Sequence, residues 1–178
     1  MTGIRLVICS WEPAWKMSDE PSSQYVSGRI EYQQAVDTVI DHARHTLRVF
    51  DYDLHEGGYN APQRYESLKR FLLASTSNRL FVVLHSVDYI QRECPRMLNL
   101  LREHSYGVFI HQTNAEARTV SDPMLIADDL HYVHRFHYEQ PRAEIVLNDQ
   151  KPTQPLLHRF EEIWQASTLA VTATTIGL

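Results

Sequence analysis

The run His131-Tyr132-Val133-His134-Arg135-Phe136-His137 holds three imidazoles and one guanidinium within seven residues. In an extended strand side chains alternate between faces, so His131, Val133, Arg135 and His137 share one face. Tyr132, His134 and Phe136 share the other. Two imidazoles around a guanidinium make an anion clamp for a phosphate or carboxylate, because the guanidinium presents a planar fork of donors. Arg142, just past Pro141, is placed to join it. The competing reading is an exposed hairpin whose His and Arg side chains meet solvent or Asp128, Asp129 and Glu139, in ion pairs that contribute little.

Two further polar groups stand at predicted strand ends: Asp51-Tyr52-Asp53 with His55, and His85-Ser86-Val87-Asp88. Ligands of open α/β sheets bind at the carboxyl ends of the strands, so these groups are expected to line a pocket with Asp128 and Arg135. Polar turns also favour Asp and Ser for local reasons. The ten histidines invite a metal reading, yet no H-E-x-x-H or Cys/His cluster occurs, and no metal is expected. Neither G-x-x-x-x-G-K-[ST], G-x-G-x-x-G nor G-x-S-x-G is present, so no nucleotide or other cofactor motif and no esterase motif is found.

The elements that must position these residues follow from periodicity. Ile30, Val36, Val39, Ile40 and Ala43 fall at helical spacing and predict an amphipathic helix over 29–45, followed by a strand over 46–50. A second helix over 62–74 opens on Pro62, and the apolar run Leu80–Leu84 reads as a strand buried on both faces. A helix over 95–104 precedes a strand over 106–112. This alternation implies crossover connections and a parallel core. After Pro123 the pattern changes to short strands at 124–127, 132–136 and 143–147, then a helix from Pro155 to about Ser167. Phe50, Phe81, Phe160 and Trp164 fall in apolar stripes and are expected in the core.

The chain has 178 residues, 43% hydrophobic and 22% charged, which suits one globular domain. Its net charge of −5 opposes broad binding to nucleic acid or anionic membrane. Cys9 and Cys94 form no C-x-x-C pair, which fits a reducing cytoplasm, and no apolar run approaches the roughly 18 residues of a membrane span. Residues 1–28 read as an irregular leader packing on the domain, with Trp11 and Trp15 as partner contacts. Residues 29–167 form the domain and 168–178 an extended tail.

The order of these elements resembles one phospholipase D-type domain. The entry is similar in Ala43, Leu47, Val49 and Tyr52, and the close in Glu144-Ile145-Val146 followed by Phe160–Trp164. The resemblance implies an α/β fold, a single phospholipase D-like domain with a mixed sheet, mostly parallel at its core, flanked by helices. The family motif H-x-K-x-x-x-x-D supplies a histidine nucleophile, a phosphate-binding lysine and an aspartate that orients the histidine. Aligned on Asp128, the histidine position holds Ser121 and the lysine position Pro123. Glu144 falls near a later family glutamate, while Val133–Phe136 stand where the family often has G-S-x-N.

A narrower resemblance is to an uncharacterised bacterial group of degenerate phospholipase D-like domains. The shared features are the H-R-F strand, Leu147-Asn148-Asp149 and the end Thr174–Leu178. Some members carry an acetyltransferase domain, for which 178 residues leave no room, so an acetyltransferase would be a partner protein. The resemblance further implies a homodimer and, with Ser121 and Pro123 at the reactive positions, a chain without catalytic residues. Serine beside proline offers a hydroxyl with no adjacent base and no cation for a transferring phosphate. A noncatalytic module that binds a partner or a small phosphate-bearing anion is the expectation. A phosphodiesterase-like site rebuilt on His131 or His137 with Arg135, or weak nucleic-acid binding through the same strand, are the alternatives.

Overall fold

The computed structural model describes residues 20–173. Trp11, Trp15 and the Thr174–Leu178 motif lie outside the described residues. One mixed sheet of eight strands carries the fold: β1 (Ser22–Ser27), β2 (Thr46–Asp51), β3 (Arg79–Leu84), β4 (Val108–Thr113), β5 (Met124–Ala127), β6 (His131–Arg135), β7 (Arg142–Leu147) and β8 (Ser167–Val171). Their spatial order is β1-β7-β6-β5-β2-β3-β4-β8. Only β2–β3 and β3–β4 pair in parallel; the other neighbours are antiparallel. The parallel portion is therefore the helix-connected stretch, and the hairpin half extends it on one side.

The helices are α1 (Arg29–His42), α2 (Pro62–Ala74), α3 (Asp88–Glu93), α4 (Pro95–Glu103) and α5 (Gln150–Gln165). A core on one face joins Tyr32, Val36 and Val39 of α1, and Leu68 and Leu72 of α2, to Leu47, Val49, Leu80, Val82, Leu125 and Val133 of the sheet. On the opposite face, Leu157, Phe160 and Ile163 of α5 cover Phe50, Val83, Met124, Ile126 and Tyr132. The alternation of strand residues between these two cores assigns each side chain its face. Phe81 and Trp164 lie at the margin of the second core rather than inside it. Among the described residues no helix is long and apolar enough to cross a membrane.

Two boundaries differ from the sequence expectation. The supposed leader contains β1, which pairs with β7 from Ser22↔Leu147 to Ser27↔Arg142 and belongs to the sheet. Its polar, mostly exposed residues hide the apolar alternation of a half-buried strand. Helix α5 starts at Gln150, with Pro155 inside it. The Asp149 side chain accepts the Lys151 N–H at 3.1 Å and the Thr153 hydroxyl bonds the Asp149 carbonyl at 2.6 Å, a cap that sets the start upstream of the proline. The tail strand is seen as β8, antiparallel to β4.

Candidate functional site

The carboxyl ends of β2, β3 and β4 meet the start of β5 and the end of β6 along one edge of the sheet. Register places Phe50 opposite Met124 and Met124 opposite His134. One step further along, Asp51, Pro123 and Arg135 form a row, and the Arg135 N–H donates to the Pro123 carbonyl at 2.8 Å. Leu47 and Val49 face α1, so Asp51 does too; by the same alternation Val133 carries Arg135 to that face. Pro123 thus stands between Asp51 and Arg135 on the neighbouring strands.

Both ends of the row are largely buried. Asp51 is 4% exposed and accepts the Tyr52 N–H at 2.7 Å. Burial pushes its carboxyl up to about 7, against the pull of that hydrogen bond and of the Arg135 charge. The loop over Asp51 closes through Gly57, where an added Cβ would lie 2.5 Å from the Tyr59 ring and 3.6 Å from the carboxylate. Arg64 lies over the Tyr59 ring and bonds Asp37 at 2.7 Å, leaving its buried Nη1 without a hydrogen-bond partner. Arg135, also 4% exposed, donates from Nε to the Gln140 carbonyl at 2.7 Å and lies over the Tyr32 ring at 5.2 Å. Among the described residues its two terminal nitrogens make no hydrogen bond, and no carboxylate comes within 4.0 Å.

The other face of the same edge carries a second polar group. His134 Nε2 meets Asp122 at 3.0 Å, and Arg159 of α5 holds the other carboxylate oxygen. Burial alone would raise the Asp122 carboxyl, but the His134 and Arg159 hydrogen bonds outweigh it and hold the group below its ordinary range. Against an ionised Asp122, His134 Nε2 is the donor. Beyond them, Arg142 with Tyr25, Phe136 and neighbouring β1 and β7 residues lines a cavity of about 280 Å³. His85 is buried between the Thr113 hydroxyl at 2.8 Å and the Val120 carbonyl at 2.6 Å.

At the same edge three rings stack on the side of His85, whose ring lies 5.8 Å from that of Tyr52. Tyr52 and Tyr138 are 5.1 Å apart at 24°, and His137 stacks on Tyr138 at 4.7 Å, also at 24°. Tyr52 directly follows Asp51, while the Tyr138 N–H is pinned to the Ser121 carbonyl at 2.8 Å.

The proposed clamp of His131, Arg135 and His137 is not assembled. His131 opens β6 and Arg135 closes it, which separates them by roughly 13 Å along the strand. His131 accepts the Asn148 N–H at 3.0 Å and faces the His42 ring at 5.0 Å. Burial lowers its pKa to about 4, with the neighbouring His42 adding to the effect. His137 lies beyond the strand, its Nδ1 accepting the Glu139 N–H at 3.1 Å. The exposed-hairpin alternative fails as well, since His131 and Arg135 are both buried. Arg142 is exposed on the opposite face from Arg135.

Asp128 also leaves the expected site. It follows β5, roughly 16 Å along the chain from Pro123, at the other edge of the sheet. Its carboxylate accepts the backbone N–H groups of Arg44, His45 and Thr46 at 2.8–2.9 Å. From there it cannot orient a group at position 121. The sequence reading missed Asp122 and His134 as a pair, and the Tyr52–Tyr138 stack. Strand alternation already put His134 on the face opposite Arg135, but only the β5–β6 register brings Asp122 to it.

No curated protein sequence matches the chain. Among solved structures it is similar to TrmBL2, an archaeal chromatin protein described as showing a novel mode of DNA binding, with TM-score 0.65 and 10% identity over 89% of this chain and 57% of that one. The chain thus spans little more than half of that protein. It is similar to Nuc, a phospholipase D family member from Salmonella typhimurium, with TM-score 0.61 and 16% identity over 86% of this chain and 100% of that one. It is also similar to NucT from Helicobacter pylori, with TM-score 0.59 and 10% identity over 85% and 100%. These likenesses establish a phospholipase D-like α/β fold. Residues 29–172 match the model of a domain of unknown function, DUF7931, and the chain belongs to that family.

Proposed function

We propose that this chain is a noncatalytic phospholipase D-like module that binds a small phosphate-bearing anion at the carboxyl edge of its sheet. The observation that carries the reading is Arg135 directly across from Pro123. A cation stands one strand away from the position where the family places its lysine, with two guanidinium nitrogens unbonded among the described residues. Those two nitrogens are not among the buried polar atoms left without a partner, so they are open to an anion from solvent. Asp51 offers only partial compensation, because burial keeps much of it protonated near neutral pH. A bound phosphate would supply the missing charge through a bidentate contact.

Absence of catalysis rests on Ser121 and Pro123 at the reactive positions and on the use of Asp128 by backbone N–H groups. The test is a thermal-shift series with inorganic phosphate and simple phosphate esters. At a hundredfold excess over Kd, binding adds about 2.7 kcal/mol, or roughly 5–10 °C for a chain of this size. Arg135→Gln should abolish the shift, and Arg135→Lys, which keeps the charge but loses the fork, should retain part of it. No shift with any phosphate compound, or an undiminished shift in Arg135→Gln, would refute the reading. Generic phosphodiesters should be turned over only at background.

A further inference from the structure

Resting on that reading, we infer that the anion held by Arg135 enters together with one proton, taken from solvent and carried by the Asp51 carboxyl, so that the site fills in acid and empties in alkali. The basis is a cluster of buried groups on the face of the sheet that α1 covers. Asp51 and Arg135 are each 4% exposed. Register sets them on that face with only Pro123 between them, two strand spacings or roughly 10 Å apart. Among the described residues neither is paired as an ion: the Asp51 carboxylate accepts the neutral Tyr52 N–H, and Arg135 donates to the neutral Gln140 carbonyl. Pro123 brings no charge to either of them.

The other groups around Asp51 give it no counter-charge. Tyr32 of α1 and Tyr59 of the following loop are buried within its electrostatic reach, and burial keeps both hydroxyls neutral. Asp53 and Glu56 of the same loop add like charge. Their neighbour His55 turns to Glu56 at 3.3 Å, and Arg64 of α2 is paired with Asp37 at 2.7 Å. The His85 ring packs edge-on to Phe50, on the opposite face. Arg135 supplies the attraction that Asp51 feels. A phosphate on the two free guanidinium nitrogens cancels that attraction and adds negative charge of its own. One unit charge at roughly 10 Å, at an effective dielectric of about 20, changes proton affinity by about tenfold. Asp51 therefore holds its proton more tightly in the complex, and by reciprocity an ionised Asp51 weakens the complex by the same factor. Burial brings the carboxyl to about 7 in the free chain, which puts the change in the neutral range. Full affinity is present below that value, where Asp51 is neutral in both states, and is lost as pH rises through it.

Isothermal titration with inorganic phosphate at about pH 6.5 and about pH 8.5, on the full chain and on Asp51→Asn, measures the coupling. Phosphate changes its own protonation over this range, but equally for both chains, so their difference isolates Asp51. The parent chain should lose about tenfold more affinity than the variant between the two conditions. NMR titration of the Asp51 carboxyl in the unsubstituted chain gives a readout independent of how the variant folds. Saturating phosphate should move its midpoint up by about one pH unit or more. Parallel pH profiles in the two chains, with an unmoved carboxyl midpoint, overturn this inference while the phosphate reading stands. No binding of phosphate by the parent chain in either condition overturns the phosphate reading and this inference with it.

Discussion

Arg135 stands directly across the sheet from Pro123, its backbone N–H donating to the Pro123 carbonyl at 2.8 Å. Asp51 flanks the proline on the other side, so a buried acid and a buried base are separated by one strand that carries no charge at this step. Pro123→Lys would place a second cation between them. Its amine should pair with Asp51 and draw that carboxyl downward, at a net cost of roughly 2–4 kcal/mol for desolvating another charge. Urea unfolding and a carboxyl titration by NMR measure the two effects. Hydrolysis should stay at background, because Ser121 still lacks a base; turnover in the variant would show that one cation was all the edge lacked.

Asp51 makes stability depend on pH in an unusual direction for a carboxylate. Its pKa rises from 3.8 to about 7 on folding, chiefly through burial. Between those values the folded chain binds the extra proton, so this group's contribution is complete below pH 3.8 and is lost as pH rises through 7. His131 runs the opposite way: its pKa falls from 6.5 to about 4, so its contribution is present above 6.5 and is lost as pH falls through 4. The two slopes oppose between about pH 4 and 6.5. Asp51→Asn should therefore unmask a stability that climbs with pH in this window, the removed Asp51 contribution being on the order of 4 kcal/mol at full coupling. Unfolding midpoints at half-unit pH steps check this, and an unchanged profile in the variant would refute it.

Asp128 is expected to matter for stability and not for ligand. Its carboxylate holds three successive backbone N–H groups at the entry to β2, and its own φ is +53°, a conformation that asparagine tolerates better than alanine. Asp128→Ala should cost about 2–3 kcal/mol and Asp128→Asn less, since one acceptor oxygen remains. The phosphate-induced thermal shift should be the same in both variants as in the parent chain. A loss of that shift would mean the residue acts on the edge after all.

The Asp122 carboxylate ties β5 to β6 through His134 and to α5 through Arg159. Asp122→Ala should destabilise the chain by about 1–3 kcal/mol, and Arg159→Ala, whose side chain is more exposed, by less. Because the Asp122 pKa is depressed on folding, its contribution is present above the ordinary carboxylate range and is lost as pH falls below it. Hydrogen exchange should show α5 opening more readily in Asp122→Ala. Protection of α5 equal to that of the parent chain would count against this role.

Much of the element order was legible in the sequence because it rests on local periodicity. The stripe Leu68, Phe71, Leu72 needed one partner surface and the apolar run Leu80–Leu84 one on each face, and any partner of the right polarity would satisfy them. Strand β1 was illegible for the same reason: Ser22–Ser27 buries little beyond Val26, so its place depends on the hydrogen bonds offered by β7. The resemblance to phospholipase D-type domains located Ser121, Pro123 and Asp128, but it did not say that Asp128 lies at the far edge.

What the sequence determined by itself was the alternation of faces along β6, which sets Arg135 against His134 whatever the fold. It also determined that positions 121 and 123 hold a hydroxyl and an imino acid. Only the tertiary structure decided which end of β6 each residue occupies relative to its neighbours. Strand periodicity has a direction and a phase but no register, and register comes from pairing with β5 and β7. That pairing put Arg135 beside Pro123 and Asp51, sent His131 to His42, and brought Tyr52 and Tyr138 together from loops 86 residues apart. Burial then set the chemistry, since the same carboxyl that would be an ordinary acid in a turn holds its proton to about pH 7 inside the row.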